Sequence, residues 1–166
     1  MSEVAKNAVV TIVLADFAAN EASGKANVIG AGAAILGYEP AMGITSRFAL
    51  WISVRLPTSL APVEVPVEIS LVDAQGNPVL LPGPAGEPQA MRIAQMTQFE
   101  KPTVQVQTLL RDHIGSSVQI VLDFSNGLPL APNGVFNWQV RIDGDADLQW
   151  HYPFAVAGPP TPPVIG

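Results

Sequence analysis

Three aspartates alternate near the C-terminal end of the chain, in a pattern that could supply ligands for a hard cation. Asp143, Asp145 and Asp147 stand at every second position, and Ca²⁺ is bound by carboxylates gathered around a turn. An EF-hand loop beginning at Asp143 also needs glycine at its sixth position and glutamate at its twelfth, where this chain has Leu148 and Phe154. The EF-hand motif therefore fails. The pattern favours a polar hairpin, with calcium held at one end of a sandwich as the weaker alternative.

Two histidines, His113 and His151, are the only imidazoles in the chain. They show no HxH or HxxxH spacing, and without cysteine a zinc site needs histidine and carboxylate ligands together. The segment from Asp112 to Ser116 and Ser117 contains the residue types of a hydrolytic triad. Neighbours in sequence do not make triad geometry, however, and no Gly-x-Ser-x-Gly elbow is present. We predict that the protein is not an enzyme and has no resident metal and no cofactor.

The glycine pair in Gly30-Ala31-Gly32 has the composition of a nucleotide-binding loop. It lacks the third glycine of the dinucleotide motif and the Gly-Lys-Ser/Thr of a P-loop, and no predicted helix follows it to direct an N-terminus at phosphate. Small residues in a strand typically mark the close approach of another backbone. The motif therefore predicts structural packing.

Trp51 is the strongest candidate for a binding residue. The alternation of its segment places it with Arg47 and Arg55, away from the hydrophobic face. An exposed aromatic flanked by cations suits either a platform for stacking sugars or a protein contact, because tryptophan and arginine are frequent interface anchors. Alternatively, a loop covers Trp51, or its strand is buried on both sides. We therefore take Arg47, Trp51 and Arg55 as predicted interaction residues.

The composition excludes several classes of protein. Of the 166 residues, 14 are acidic and 8 are basic, for a formal net charge of −6, and 48% are apolar. Disorder of the whole chain is excluded, because disordered segments combine low hydrophobicity with high charge. So few scattered cations disfavour binding to nucleic acid or to anionic membranes. The absence of cysteine excludes disulfides, iron–sulfur clusters, thiolate zinc sites and cysteine nucleophiles.

Five stretches alternate apolar and polar residues with a period of two, which is typical of half-buried strands; they span residues 47–55, 64–72, 117–124, 135–142 and 148–156. Pro66 lies on an outward phase, where its missing N–H predicts an edge strand or a bulge. Residues 9–15 are apolar in both phases, which predicts a strand covered on both sides. Residues 28–36 form a strand rich in small side chains, and 91–99 and 103–110 are weaker strand candidates, with a helical turn over 108–115 as an alternative.

Turn residues separate these stretches, at positions 73–78, 126–127, 132–134 and 143–144. Such spacing predicts a β-sandwich or a barrel, and the proline- and glycine-rich residues 81–88 are expected to form an irregular surface loop. We predict an all-β fold, an antiparallel β-sandwich of the immunoglobulin or C2 type with about eight to nine strands. It would comprise one domain over residues 8–157, after an N-terminal arm (1–7) and before a proline-rich tail (158–166).

The two ends of the chain carry further expectations. Residues 8–15 are the one candidate signal peptide, but Glu3 together with Lys6 makes a poor cationic leader. Eight apolar residues are also far fewer than the roughly 20 that span a bilayer, so we predict a buried strand and no membrane span. The tail should run as extended polyproline and dock on a neighbouring subunit, through the predicted contact residues Pro159, Pro160, Pro162, Pro163, Val164 and Ile165.

Six short segments give the chain a recognisable order: Leu-Ala-Asp at 14–16, Gly-Lys-Ala-Asn-Val-Ile-Gly at 24–30, Leu-Val-Asp-Ala-Gln-Gly-Asn-Pro-Val at 71–79, Leu-Asp-Phe at 122–124, Leu-Pro-Leu at 128–130 and Gly-Val-Phe-Asn-Trp-Gln-Val-Arg-Ile-Asp-Gly at 134–144. This order resembles an uncharacterised family of small bacterial proteins, a domain of unknown function with relatives in actinobacterial phages and prophages. The resemblance covers about residues 9–156 and implies a compact β-sandwich with no assigned activity. The proline-rich tail departs from the family's usual ending.

Two functions fit these observations. The first is a non-enzymatic structural protein, most concretely a phage virion component such as a capsid decoration or a minor head or tail protein. It would bind sister subunits or a major capsid protein and reside in the virion if phage-encoded, otherwise in the cytoplasm. The second is a monomeric module that binds a glycan, lipid or peptide. A hydrolytic or metal enzyme carries the least weight, because no pair of catalytic groups is evident.

Overall fold

The chain is described here over residues 2–103, 113–145 and 150–159 of a computed structural model. Within these ranges it forms fourteen strands: β1 (Val9–Ala15), β2 (Phe17–Asn20), β3 (Ala26–Ile29), β4 (Ile35–Leu36), β5 (Tyr38–Glu39), β6 (Ile44–Thr45), β7 (Phe48–Leu56), β8 (Val63–Asp73), β9 (Leu80–Pro82), β10 (Pro88–Ala90), β11 (Arg92–Phe99), β12 (Ser116–Phe124), β13 (Val135–Ile142) and β14 (Trp150–Val156). A short helix, α1 (Glu3–Asn7), and a 3₁₀ turn (Thr58–Leu60) accompany them. The predicted all-β class is confirmed.

The first sheet has three antiparallel strands in the order β1-β7-β12. Alternate residues of β7 are apolar, so one face of this central strand turns entirely inward. Ile52 has Ile12 of β1 on one side and Ile120 of β12 on the other, and Ile52 itself is fully buried. The predicted inward phase of residues 47–55 is therefore confirmed.

The second sheet has five strands in the order β11-β8-β13-β14-β4. Its pairs are antiparallel except that of β14 with β4, which run parallel over two residues. Trp138 and Val140 of β13 lie beside Leu71 and Ile69 of β8 and are completely buried. The two main sheets together have eight strands, and the other six form three two-stranded hairpins, so the chain has more strands than the eight to nine predicted.

Aromatic contacts join the two sheets across the core. The ring of Phe48 on β7 lies 4.7 Å from that of Phe124 on β12 and 6.4 Å from that of Phe154 on β14. Phe124 in turn lies 5.5 Å from Trp138. Each fully buried phenylalanine stabilises the fold by roughly 1.5–3 kcal/mol, so this cluster helps to hold the sandwich closed.

Pro66 corrects the prediction of an edge strand, because β8 lies between β11 and β13 in the interior of the sheet. The pairing of β8 with β13 ends at Val67 and Ile142, and the Pro66 carbonyl accepts a hydrogen bond from the Asp143 N–H. The carbonyl and the nitrogen of one strand residue point to the same side. The missing donor therefore faces the turn that follows β13, and the ladder with β11 is unaffected.

The glycine-rich segment and β1 also differ from expectation. β1 is an edge strand whose outer face opens towards its start, where Val9 is 61% exposed, so it is not covered on both sides. The predicted strand 28–36 is interrupted after Ile29, because Gly30 adopts a positive φ of 66°. A Cβ at Gly30 would lie 2.1 Å from the side-chain carboxylate of Asp16, whereas a Cβ at Gly32 would meet open space.

Other segments were predicted only in part. The ends of the stretch 81–88 form the β9–β10 hairpin, with Pro82 paired to Pro88 where the short ladder closes, so the stretch is not irregular throughout. Within the predicted N-terminal arm, α1 is capped by the Ser2 hydroxyl and buries Ala5 in the core. Residues 104–110 of one weak strand and Leu148 lie outside the described residues. None of the helical segments in the described ranges has the length and hydrophobicity of a membrane-spanning helix.

Candidate functional site

The outer face of the three-stranded sheet is the surface on which the predicted binding residues lie. At the centre of this face, the register of the strands forms two rows of side chains. Each row has one residue from β1, one from β7 and one from β12, side by side. One row is apolar and consists of Val13, Trp51 and Val121, and the next is polar and consists of Thr11, Ser53 and Gln119. We call these six residues the Trp51 face. None of them is charged.

Trp51 stands in the middle strand and is half-buried. Its indole Nε1 donates a hydrogen bond of 3.1 Å to the side-chain oxygen of Gln119 on β12. This bond and the flanking Val13 and Val121 hold the ring in one orientation. Part of the surface of Trp51 remains accessible, although the next outward residue along β7, Ala49, is fully buried.

The two predicted arginines lie at opposite ends of this face. Arg47 precedes β7, forms a long ion pair of 3.7 Å with Asp123, and places its guanidinium 5.2 Å from the centre of the Phe17 ring. Arg55 is exposed near the other end, where it pairs in register with Val9 and Ser117. Within the ranges that the structure describes, no carboxylate lies within ion-pair distance of Arg55.

Open cavities adjoin both arginines. One of about 610 Å³ lies beside Arg47 and is lined in part by Met42, Ile44 and Asn126. Another of about 270 Å³ lies beside Arg55, where the exposed Ile114 forms part of its wall. Sequence analysis missed both cavities, because their walls combine segments that are distant along the chain.

The structure places the two histidines, which were weighed as zinc ligands and, in the case of His113, as part of a hydrolytic triad, at different sheets. His113 lines the cavity beside Arg55, whereas His151 is exposed on the other sheet, opposite Gln139. The Ser116 hydroxyl donates a 2.6 Å hydrogen bond to the Glu100 carbonyl oxygen, so it is held by the backbone. Asp112, which would be the acid of a hydrolytic triad with His113, lies outside the described residues.

Asp143 and Asp145, two of the three alternating aspartates, belong to the turn that follows β13. Asp143 is exposed with a positive φ of 55°, whereas Asp145 is buried. Asp147 lies outside the described residues. In the described ranges, no three histidine, aspartate or glutamate side chains form a group able to hold a metal ion.

Of the predicted contact residues of the tail, the structure describes Pro159, which is exposed. The others lie outside the described residues: Pro160, Pro162, Pro163, Val164 and Ile165. Just before the tail, Gly158 lies so close to Asn133 that a Cβ there would be 2.1 Å from the side-chain oxygen of Asn133. The start of the tail is therefore packed against the sandwich.

Comparison with known proteins gives a family whose function is unknown. The model of DUF6941, described as a family of unknown function, matches residues 10–157. This range contains both main sheets apart from Val9, and the match agrees with the predicted resemblance to an uncharacterised domain family. A search of curated proteins found no match.

Proposed function

The chain belongs to DUF6941, a family of unknown function, and from this starting point we propose that it is a non-enzymatic assembly protein. Its contact surface is the Trp51 face, and its partner is a second copy of the same chain. One observation carries the proposal, which is the uncharged row Val13–Trp51–Val121 on the outer side of a sheet.

The composition of this face is typical of the centre of a protein interface. Interface centres are depleted of charged residues, and tryptophan and arginine are enriched among the residues that contribute most to binding. Because the Trp51 ring is already held by Gln119, little side-chain entropy is lost when a partner covers it. The polar row beside it supplies hydroxyl and amide groups for hydrogen bonds across the contact.

The charges at the ends of the face favour a second copy as the partner. Arg55 lies near one end of the face and Asp123 near the other. Arg55 is opposite Ser117 of β12, and Asp123 lies six residues farther along that strand. At ~3.3 Å per residue the two charges are about 20 Å apart. In a two-fold dimer with the strands of the two copies reversed, Arg55 faces Asp123 of the second copy at both ends. The existing pair of Asp123 with Arg47 is long and exposed, so its exchange costs little.

Analytical ultracentrifugation of the natural chain and of Trp51→Ala tests this proposal. We expect the natural chain to dimerise and Trp51→Ala to weaken the dimer by roughly 30-fold, which corresponds to the ~2 kcal/mol of an interface hot spot. The matched control is Met96→Ala, which truncates a residue 58% exposed on the other sheet and should leave dimerisation unchanged.

Charge reversal tests the two-fold arrangement directly. Arg55→Asp and Asp123→Arg should each weaken the dimer, and the double variant should recover most of the loss, because the pair is restored with its signs exchanged. A chain ending at Val156 distinguishes the Trp51 face from the predicted tail contact, since it stays dimeric if the face suffices. A natural chain that is monomeric at about 100 µM, well above the micromolar range of weak specific interfaces, would overturn the proposal.

A phage virion is the concrete setting that we propose for this assembly, with a major capsid protein as a further partner. Support comes from the family resemblance noted above and from the low charge of the chain, 13% of residues. Electron microscopy is the direct test, because a virion component should occur as repeated copies of this sandwich on a shell lattice. A chromosomal gene with no neighbouring capsid gene would count against this setting and leave self-association untouched.

A further inference from the structure

A second polar cluster lies on the outer face of the five-stranded sheet, away from the Trp51 face. Strand register places four polar side chains side by side on β11, β8, β13 and β14, and they are Arg92, Ser70, Gln139 and His151. Glu68 and Arg141 are paired in the adjacent row.

The charges of this cluster are unbalanced. The carboxylate of Glu68 is hydrogen-bonded to Arg92 and lies 3.9 Å from a guanidinium nitrogen of Arg141, so two cations share one anion. The cluster carries one net positive charge in a chain whose formal net charge is −6. In addition, the Nε of Arg141 is buried and has no hydrogen-bond partner among the described residues. Because this atom is closed off from solvent, the case for a bound anion depends on the unbalanced charges of the cluster and not on Nε.

Five of these six residues, all except His151, line a cavity of about 340 Å³. The sheet supplies its polar floor through Glu68, Gln139 and Arg141, and Pro78 and Met91 supply apolar walls. The nearby loop is held by Asp73, which accepts hydrogen bonds from the backbone of Gln75 and Asn77. The volume is near the lower end of the ~300–1,000 Å³ of small-molecule sites.

We propose that this cavity binds a monocarboxylate whose carboxylate pairs with Arg141 and Arg92. Guanidinium groups form short, often bidentate hydrogen bonds with carboxylates, and the single net positive charge matches a monoanion. A dianionic phosphate is disfavoured by the adjacent Glu68. The Gln139 amide donates to further oxygens of the ligand, and the body of the ligand packs against Met91.

Two sources offer this carboxylate, a free organic acid and the C-terminus of a peptide. Glucuronate represents the first, and acetyl-Gly-Gly-Ala with a free C-terminus represents the second, with the amidated peptide as its control. Titration of the natural chain, followed by NMR amide shifts, should show saturable shifts around Gln139 and Arg141 for at least one probe. The probe that binds identifies the source, and inorganic phosphate should bind at least 10-fold more weakly.

Three variants test the role of the side chains. Arg141→Gln should weaken binding of the carboxylate probe at least 10-fold, and Arg92→Gln, at an exposed side chain, should weaken it several-fold without affecting folding. Glu68→Gln should strengthen binding several-fold, because it removes the anion that competes for both arginines, and a merely structural ion pair would not give this gain. The control Arg55→Gln, on the other sheet, should have no effect.

The proposal fails if neither carboxylate probe gives saturable shifts up to about 10 mM, a concentration above the millimolar affinities of the weakest specific sites. It also fails if Arg92→Gln and Arg141→Gln bind the probe as well as the natural chain, or if phosphate and the amidated peptide bind as tightly as the carboxylates. Dimerisation is measured separately, so this result does not depend on the Trp51 face.

Discussion

Alanine substitution at two adjacent residues of β7 distinguishes the inner face of the three-stranded sheet from its outer face. Ile52 is completely buried in the core. Trp51 is half-buried on the opposite face, where it donates one hydrogen bond to Gln119. We expect Ile52→Ala to destabilise the folded monomer more than Trp51→Ala, although tryptophan is the larger side chain.

The magnitudes follow from what each substitution removes. Ile52→Ala takes three carbon atoms out of a closed core, which costs about 2.4 kcal/mol of transfer free energy and a further ~1–2 kcal/mol for the remaining cavity. The total of about 4 kcal/mol lowers Tm by roughly 8–16 °C in a chain of this length. Trp51→Ala removes a side chain that solvent already contacts and one hydrogen bond worth ~1 kcal/mol, and we expect a loss of about 2 kcal/mol.

Urea unfolding followed by far-UV circular dichroism gives both free energies, at a protein concentration below the dimer dissociation constant so that association does not contribute. Ser53→Ala, next along the strand on the outer face, is the control and should change the free energy of unfolding by no more than ~0.5 kcal/mol. Equal losses for Ile52→Ala and Trp51→Ala, or a larger loss for Trp51→Ala, would refute the assignment of inner and outer faces on β7.

Two further predictions concern turns. Gly127→Ala should destabilise the fold by several kcal/mol more than Gly76→Ala in thermal unfolding. Both glycines have positive φ, so each substitution has a backbone cost of ~1–2 kcal/mol. Of the two positions, only at Gly127 would a Cβ meet a backbone oxygen, that of Thr45 at 2.1 Å. Hydrogen bonds from the Asn77 side chain and backbone lower the pKa of Asp73 from 3.8. The ionised carboxylate thus stabilises the fold above about pH 4, and this stability is lost as the pH falls through the lowered folded-state pKa. The Tm of the natural chain should therefore exceed that of Asp73→Asn by less and less as the pH is lowered. A difference in Tm that stays constant down to about pH 2 would contradict this.

Local alternation was sufficient to identify the inner face of several strands. Phe48, Leu50, Ile52 and Val54 follow a period of two and are all fully buried, because successive side chains of a strand point to opposite sides. Alternation carries no information on strand order. Alternation therefore leaves both an edge strand and a bulge open at Pro66, although β8 lies inside its sheet, since pairing depends on segments far along the chain.

The candidate sites show the same division. The outward phase of Arg47, Trp51 and Arg55 was evident from their spacing, and so was the candidate role of Trp51. The hydrogen bond to Gln119, the flanking valines and the cavities beside the arginines were not, because each joins residues from different strands.

The amino-acid order alone determined the β class, the positions of most turns and the outward phase of Trp51, since these depend on neighbours a few residues apart. Tertiary structure decided which strands became edges, and it brought Glu68, Arg92 and Arg141 together on three adjacent strands. The physical reason is that non-local pairing depends on the packing of the whole core, which no single segment of the chain encodes.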